Sequence, residues 1–559
     1  MLNMKVIVIG GVAAGPKAAS RINRLCAEAD VTIIEKGELL SYAGCGLPYY
    51  ISGQVKDSKE LMSTPVGTVR DSAFFKNVKN ANVLNHTEAT AINRENKTVT
   101  VRTRDGKEQV LPYDKLVLAT GAESSVPPIP GVELGNIYNL KDIHDADAIK
   151  ATLAEHKAVN AVIVGGGLIG VEVAEAFHEM GCRITIVEFL PQILSMMDPE
   201  MAALVEKQFE AKGVKVMTGT RVTEFRGNGQ VEKVITDQGE LPADLVLLAT
   251  GVRPAAKLAQ NAGLKIGSTR AIAVTDRMQT SDQNIYAVGD CAEKKNLITG
   301  KPAYVPLGST ANKEGRVAAN AICGVEDTFP GILGSAICKV FEYSVARTGL
   351  SEQEAREAGF DVVTCLAPAP DKPHFMPGAR LLFLKLIADR KTRKLLGAQA
   401  TGPGDADRRI DIAAMALTAG MTVDQLANAD LVYAPPFSPA VDNLITAANI
   451  LRNKIEGRMD GITPADVLAK LERGDDFTLL DVRSPAELEM MRIEGAVHIP
   501  LGALRGRLDE IDRGKPVVAF CKISLRGYEA ALILKKAGVA DVQVMDGGIL
   551  MWPGKLIKG

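Results

Sequence analysis

Two of the eight cysteines stand where sulfur could do chemistry. Cys45 lies in SYAGCGLPYYISG (Ser41–Gly53), with Gly44 and Gly46 on either side, so no neighbouring side chain crowds its sulfur. Pro48 suits the first turn of a helix, and a thiol near a helix N-terminus has a lowered pKa, which makes thiolate available as a nucleophile. Cys521 closes the apolar run PVVAFC (Pro516–Cys521) and opens CKISLRG (Cys521–Gly527), ahead of an Ala/Leu-rich helix expected from Tyr528. A sulfur at such a strand-to-helix switch sits among backbone N–H donors, which stabilise a thiolate or persulfide anion. Cys26, Cys182, Cys291, Cys323, Cys338 and Cys365 default to small buried hydrophobes. No pair is spaced as CxxC or CxxxxC, so neither a zinc knuckle nor a local redox dithiol is expected, and no metal.

The elements that must position these residues come as an internal repeat. VIVIGGVAAG (Val6–Gly15), VTIIEK (Val31–Lys36) and YDKLVLATGA (Tyr113–Ala122) are matched by AVIVGGGLIG (Ala161–Gly170), ITIVEF (Ile184–Phe189) and ADLVLLATGV (Ala243–Val252). Each copy reads as a buried parallel strand, a glycine turn, a helix and a second strand with an acidic end, and two such units suggest two dinucleotide-binding modules. In the second copy Gly165 allows the tight turn, Gly167 lets backbone N–H groups approach a pyrophosphate, and Gly170 lets helix and sheet pack closely. Glu188 is placed to accept from a ribose 2′-hydroxyl; it repels a 2′-phosphate, and Phe189 and Leu190 supply no cation, so NADH is expected over NADPH. The first copy keeps Gly10, Gly11, Gly15 and Glu35 but has Val12 at the central glycine position.

On these residues, together with Val288-Gly289-Asp290, the chain from its start to about 450 resembles the pyridine nucleotide-disulfide oxidoreductase superfamily. The resemblance implies FAD in the first module, with contacts at Gly10, Gly11, Ala14, Gly15, Glu35, Lys36, Thr120, Gly121, Gly289 and Asp290. It implies NADH, with NADPH left open, at Gly165, Gly167, Ile169, Gly170, Glu188 and Gly251. Dithiol members carry CxxxxC where this chain has only Cys45, which is similar to the single-cysteine branch of coenzyme A disulfide reductases, NADH oxidases and NADH peroxidases. Tyr433, within YAPPFSPAVD (Tyr433–Asp442), matches the tyrosine that the coenzyme A enzymes of that branch contribute from the partner subunit of a homodimer, and Arg21, Arg24 and Ser41 match positions near the coenzyme A site. LLDVRSPAEL, GAVHIPL and the Cys521 loop resemble a rhodanese domain, with Asp481 and Arg483 on one strand end and Arg526 as a substrate-binding residue. Ser524 stands where that family's loop commonly has Gly, a residue that tolerates positive φ.

A reductase core fused to a rhodanese domain resembles coenzyme A disulfide reductase/rhodanese fusions. The activity implied is NAD(P)H-driven reduction of coenzyme A disulfide, coenzyme A persulfide or polysulfide through Cys45, with coenzyme A as substrate or bound cofactor and Cys521 carrying sulfane sulfur. The alternatives are an NADH oxidase or peroxidase cycling Cys45 through sulfenic acid, and a C-terminal module that carries sulfur or docks without turnover.

Composition agrees with such an enzyme. The 559 residues are 46% hydrophobic and 24% charged, an ordinary globular balance for several domains. A net charge of −2 gives no field for nucleic acid or an anionic membrane. No stretch reaches the roughly 18 apolar residues of a membrane span. Lys5 leads straight into Val6–Ile9, so no export segment and a cytoplasmic location are expected. The expected fold class is α/β: two Rossmann-like domains, an α+β dimerisation domain and a rhodanese-like α/β domain. The expected limits are 1–150 with 270–328 for FAD, 151–269 for NAD, 329–449 for dimerisation, 450–462 as linker and 463–559 for the rhodanese-like domain.

Overall fold

β-Branched runs such as Val6–Ile9 have no polar face to turn to water. In the computed structural model, which describes residues 3–155 and 159–558, they lie inside parallel sheets. Residues 1–2, 156–158 and 559, which fall within the expected domain limits, lie outside the described residues. The first sheet orders strands Ile285–Ala287, Lys115–Leu118, Lys5–Ile9, Asp30–Ile34 and Ala81–Leu84, all parallel. The second orders Lys215–Met217, Arg183–Val187, Asn160–Val164, Leu245–Leu248 and Ile137–Tyr138, again parallel. The repeat extends to single bonds. Gly10 N–H donates to Ile34 O and Gly165 N–H to Val187 O, each at 2.8 Å. Ala119 N–H and Ala249 N–H donate to Ile9 O and Val164 O, also at 2.8 Å.

Both sheets belong to one compact unit, made of residues up to Ile193 and Gly213–Ile332; a second unit takes Leu194–Lys212 and the chain from Leu333. Helix Pro199–Ala211 belongs to the second unit, where Asp198 N–H donates to Gln399 Oε1 at 2.9 Å.

The second unit holds an antiparallel sheet ordered Ala336–Val340, Tyr343–Gly349, Leu395–Gly402, Leu381–Asp389 and Val362–Leu366. Lys385 is buried in it, with Nζ at 2.5 Å from Glu200, 2.7 Å from Glu352 and 2.9 Å from Asp198. The ammonium thus fills the one place where these three carboxylates could gather round a cation. A parallel sheet follows, ordered Gly461–Ile462, Val542–Met545, Val517–Phe520, Thr478–Asp481 and Val497–His498.

The structure adds detail to one sequence expectation and corrects another. The linker expected at 450–462 is helical for its first residues, because Leu444, Ala447, Ala448 and Leu451 keep one buried stripe through helix Asn443–Ile455. The helix stops where Gly457 adopts φ +72. The helix expected from Tyr528 starts instead at Leu525, immediately after the Cys521 loop.

Candidate active site

Neighbouring parallel strands of the first sheet end together, and the residues expected to hold a dinucleotide lie at those ends. Gly10 has φ +114, and a Cβ there would run into the carbonyl of Ala119. A Cβ on Gly15 would strike Gly10 O, so the helix that begins at Ala14 can start close against the strand only with Gly at this position. Glu35 ends the next strand and accepts from Gly11 N–H at 2.7 Å and Gly37 N–H at 2.8 Å, tying the glycine turn to the acidic end. Lys36 is exposed beside it. Thr120 Oγ1 donates to Ala255 O at 2.7 Å, and Gly121 has φ +72.

Gly289 and Asp290 follow the neighbouring strand Ile285–Ala287. Asp290 Oδ1 and the Tyr304 hydroxyl are buried without a hydrogen-bond partner, and burial raises the pKa of both groups. Unsatisfied buried polar atoms are costly, so this pair fits a ligand that brings hydroxyl groups, such as a polyol chain. Sequence reasoning found Asp290 but missed Tyr304, Lys294 and Glu314, which come from separate stretches. Lys294 and Glu314 form a buried ion pair at 3.5 Å beneath Gly289. Burial raises the Glu314 pKa to about 7, against the opposing pull of Lys294.

Cys45 is exposed, inside the 3-10 turn Gly44–Gly46 that leads into helix Leu47–Ile51. Its segment is anchored at Ser41, whose N–H donates to Gly11 O at 2.9 Å, so Cys45 is four residues from a direct bond to the first glycine turn. Ser41 itself takes φ +50. Arg70, which sequence reasoning missed, donates to Ser41 O at 3.4 Å. Arg21 and Arg24 lie on helix Ala14–Leu25; Arg21 Nε is engaged by Asn320 Oδ1 at 2.9 Å, and Arg24 is exposed. Of the six cysteines expected to be buried, Cys291, Cys338 and Cys365 are, whereas Cys26, Cys182 and Cys323 are only half-buried.

The second glycine turn repeats the first. A Cβ on Gly165 would meet Ala249 O and one on Gly170 would meet Gly165 O, while Gly167 faces open space. Glu188 accepts from Gly166 N–H at 2.6 Å and from Leu190 N–H at 2.8 Å. Ile169 is partly exposed on the first turn of helix Leu168–Glu179, and Gly251 has φ +93. Phe189 and Leu190 are exposed and bring no charge, as expected, but a cation reaches this strand end from further along the chain. The Arg221 guanidinium lies 4.7 Å from the centre of the Phe189 ring.

In the C-terminal sheet Asp481 and Arg483 are buried, with Arg483 Nη2 2.6 Å from Asp481 Oδ2. Arg483 also donates to Glu487 O and Met491 O, so this pair fastens the strand end to the following helix. Cys521 is buried at the end of strand Val517–Phe520. Ser524 takes φ +95, the backbone state that favours glycine, and its Oγ donates to Met545 O at 3.3 Å. Arg526 forms a two-pronged pair with Glu487, both distances 2.7 Å. The guanidinium holds the Glu487 carboxyl down at about 2, and Glu487, followed by Cys521, favours the charged form of Arg526. Glu487 was missed in the sequence; its only signal is a place three residues after Ser484 in a capping box. Tyr433 is exposed in the second unit.

Residues 4–315 match the family model for pyridine nucleotide-disulphide oxidoreductases. The chain belongs to this family. Residues 335–445 match the dimerisation domain of the same oxidoreductases, and 463–555 match a rhodanese-like domain. Among similar members, an NAD(P)H coenzyme A polysulfide/persulfide reductase of Pyrococcus horikoshii is 40% identical over 452 residues, covering 81% of this chain and 99% of its own. The solved structure of an NAD-dependent persulfide reductase from A. fulgidus is 45% identical with a TM-score of 0.94, covering 98% of this chain and 100% of that one. A Bacillus anthracis CoADR-RHD in its reduced form is 34% identical with a TM-score of 0.93, covering 99% and 98%.

Proposed function

We propose that the chain is an FAD-dependent NAD(P)H oxidoreductase that reduces coenzyme A persulfide, polysulfide or coenzyme A disulfide through Cys45. The observation that carries this is the bond from Ser41 N–H to Gly11 O, which keeps an exposed thiol on a short leash from the first glycine turn. Similarity to a persulfide reductase over 98% of the chain supports the choice of substrate. Gly10, Gly11, Ala14, Gly15, Glu35, Lys36, Thr120, Gly121, Gly289 and Asp290 would hold FAD; Gly165, Gly167, Ile169, Gly170, Glu188 and Gly251 would hold the pyridine nucleotide. Bound there, the flavin would relay two electrons from nicotinamide to sulfur.

The residues of the chain do the rest. Cys45 thiolate attacks the outer sulfur of a persulfide, breaks the S–S bond and expels a thiol, leaving the sulfur on Cys45. Two electrons and a proton then release hydrosulfide and restore the thiolate. With a disulfide the same attack gives a mixed disulfide, and the second thiol leaves on reduction. Tyr433 of the partner subunit in a homodimer protonates the leaving thiolate, and Arg21, Arg24 and Ser41 hold the coenzyme A portion. Cys521, with Arg526 beside it, carries sulfane sulfur as a persulfide. The domain limits belong to the same reading, with the connection to the rhodanese-like domain beginning after Ile455. Among the described residues no helix is long and apolar enough to cross a membrane, and the location proposed is cytoplasmic.

The deciding experiment follows NADH oxidation with coenzyme A persulfide, coenzyme A disulfide, polysulfide and oxygen for wild type, Cys45→Ser and Cys521→Ser. Cys45→Ser should abolish reduction of all three sulfur compounds, and Cys521→Ser should impair only those that need sulfur transfer. Full activity of Cys45→Ser on the sulfur compounds overturns the proposal. Oxygen turnover exceeding that with coenzyme A persulfide points to an oxidase instead.

A further inference from the structure

One charge at the second glycine turn has no role in the reading above. Arg221 is exposed, and among the described residues it forms no ion pair. Its position is nevertheless fixed by backbone. Gly219 N–H donates to Leu190 O at 2.8 Å and Thr220 N–H to Glu188 O at 2.9 Å, so the segment before Arg221 is strapped to the acidic strand end. Arg221 N–H donates to Asp237 Oδ1 at 3.0 Å. The guanidinium then rests over the Phe189 ring, at 4.7 Å from its centre. An aromatic face that is itself exposed gives a cation a modest attraction, and among the described residues no hydrogen bond or ion pair engages the guanidinium.

A 2′-phosphate at this strand end would meet the Glu188 carboxylate, which repels it. Both Glu188 oxygens accept backbone N–H groups, from Gly166 and Leu190, and that draws off part of their negative charge. The residue next to Glu188 carries the ring that holds Arg221. A forked guanidinium suits a phosphate, because two parallel N–H bonds can reach two of its oxygens.

We propose that Arg221, held on Phe189, receives the 2′-phosphate of NADPH, so that the chain uses NADPH alongside NADH. This rests on reading the second module as the pyridine nucleotide site. Arg221 is a specificity residue here: it touches the nucleotide far from the transferred hydride.

The test compares wild type, Arg221→Ala and Arg221→Lys as full-length flavoprotein, with kcat and KM for NADPH and NADH and with direct titration of 2′,5′-ADP and 5′-AMP. Loss of a charge-assisted bidentate contact should lower the NADPH-to-NADH ratio of kcat/KM by about 10- to 100-fold, mainly through KM. The preference for 2′,5′-ADP over 5′-AMP should fall by a similar factor, with Arg221→Lys in between, and in wild type it should weaken as salt rises. An unchanged ratio and unchanged 2′,5′-ADP preference in Arg221→Ala overturn the proposal, as does an equal loss with both nucleotides. If wild type prefers 2′,5′-ADP and Arg221→Ala does not, Arg221 holds the phosphate even should neither dinucleotide drive turnover; that second failure would strike the functional reading alone.

Discussion

Lys294 and Glu314 grip Gly289 from both sides of its backbone. The ammonium donates to Gly289 O at 2.8 Å, and the carboxylate accepts Gly289 N–H at 2.7 Å. Lys294 donates again to Ala292 O at 2.9 Å, so the turn that presents Asp290 is set by two charges with side chains 1% and 0% exposed.

Removing one member of this pair should be worse than weakening it. Lys294→Met takes the counter-charge from a buried Glu314, whose carboxyl must then take up a proton or stand as an unpaired charge, at a cost of up to about 3–5 kcal/mol. Glu314→Gln keeps an acceptor for Gly289 N–H and should cost less. Urea unfolding together with the absorbance of retained flavin measures both; a Lys294→Met protein as stable and as yellow as wild type would show that the pair does not carry the turn.

The two glycine turns should fail separately. Gly10→Ala puts a methyl against Ala119 O and should yield protein with little bound flavin. Gly165→Ala puts one against Ala249 O and should leave the flavin in place while raising KM for NADH by at least about tenfold. Flavin content and steady-state kinetics on the two variants check the assignment, and the opposite pattern would reverse it.

At Ser524 the backbone is strained by its own side chain. Positive φ in a non-glycine residue costs of order 1–3 kcal/mol, partly offset by the extra unfolded-state freedom of glycine. Ser524→Gly should therefore raise the stability of the C-terminal domain by about 1 kcal/mol despite losing the bond to Met545 O, whereas Ser524→Val should lower it. Thermal unfolding of the full chain, read through Trp552, separates the two; Trp552 is the only tryptophan and lies in that domain.

Acid should act through Glu487. Its folded-state pKa, about 2 beside Arg526, lies below the ordinary 4.5, so the pair contributes stability that is complete above 4.5 and disappears as pH falls through 2. Glu487→Gln should be less stable than wild type at pH 7, and the gap should close on acidification. Denaturation curves at stepped pH report it, and a gap that widens toward pH 2 would contradict the assignment.

Local signals were legible. The glycine spacing, acidic strand ends and Gly-flanked Cys45 state their geometry within a few residues, because turn conformation and close approach depend on local residue type. Long-range partners were not. Arg221 reaches Phe189 through a strand pairing, Glu314 reaches Gly289 by helix packing, and Glu487 reaches Arg526 across the sheet top; no periodicity encodes those meetings. The connection expected at 450–462 begins inside helix Asn443–Ile455, where Leu451 continues the buried stripe of Leu444, Ala447 and Ala448.

That same helix ends in Lys454, whose ammonium pairs with the buried carboxylate of Asp546 and donates to Thr364 O at 2.8 Å. Lys207 likewise donates to Trp552 O at 3.2 Å. The rhodanese-like domain is therefore seated on its neighbours rather than swinging as a pendant arm. Severing the chain at Gly457 would strip Asp546 of its counter-charge and wet a face that folding had dried, so a lone C-terminal fragment would report on an injured domain.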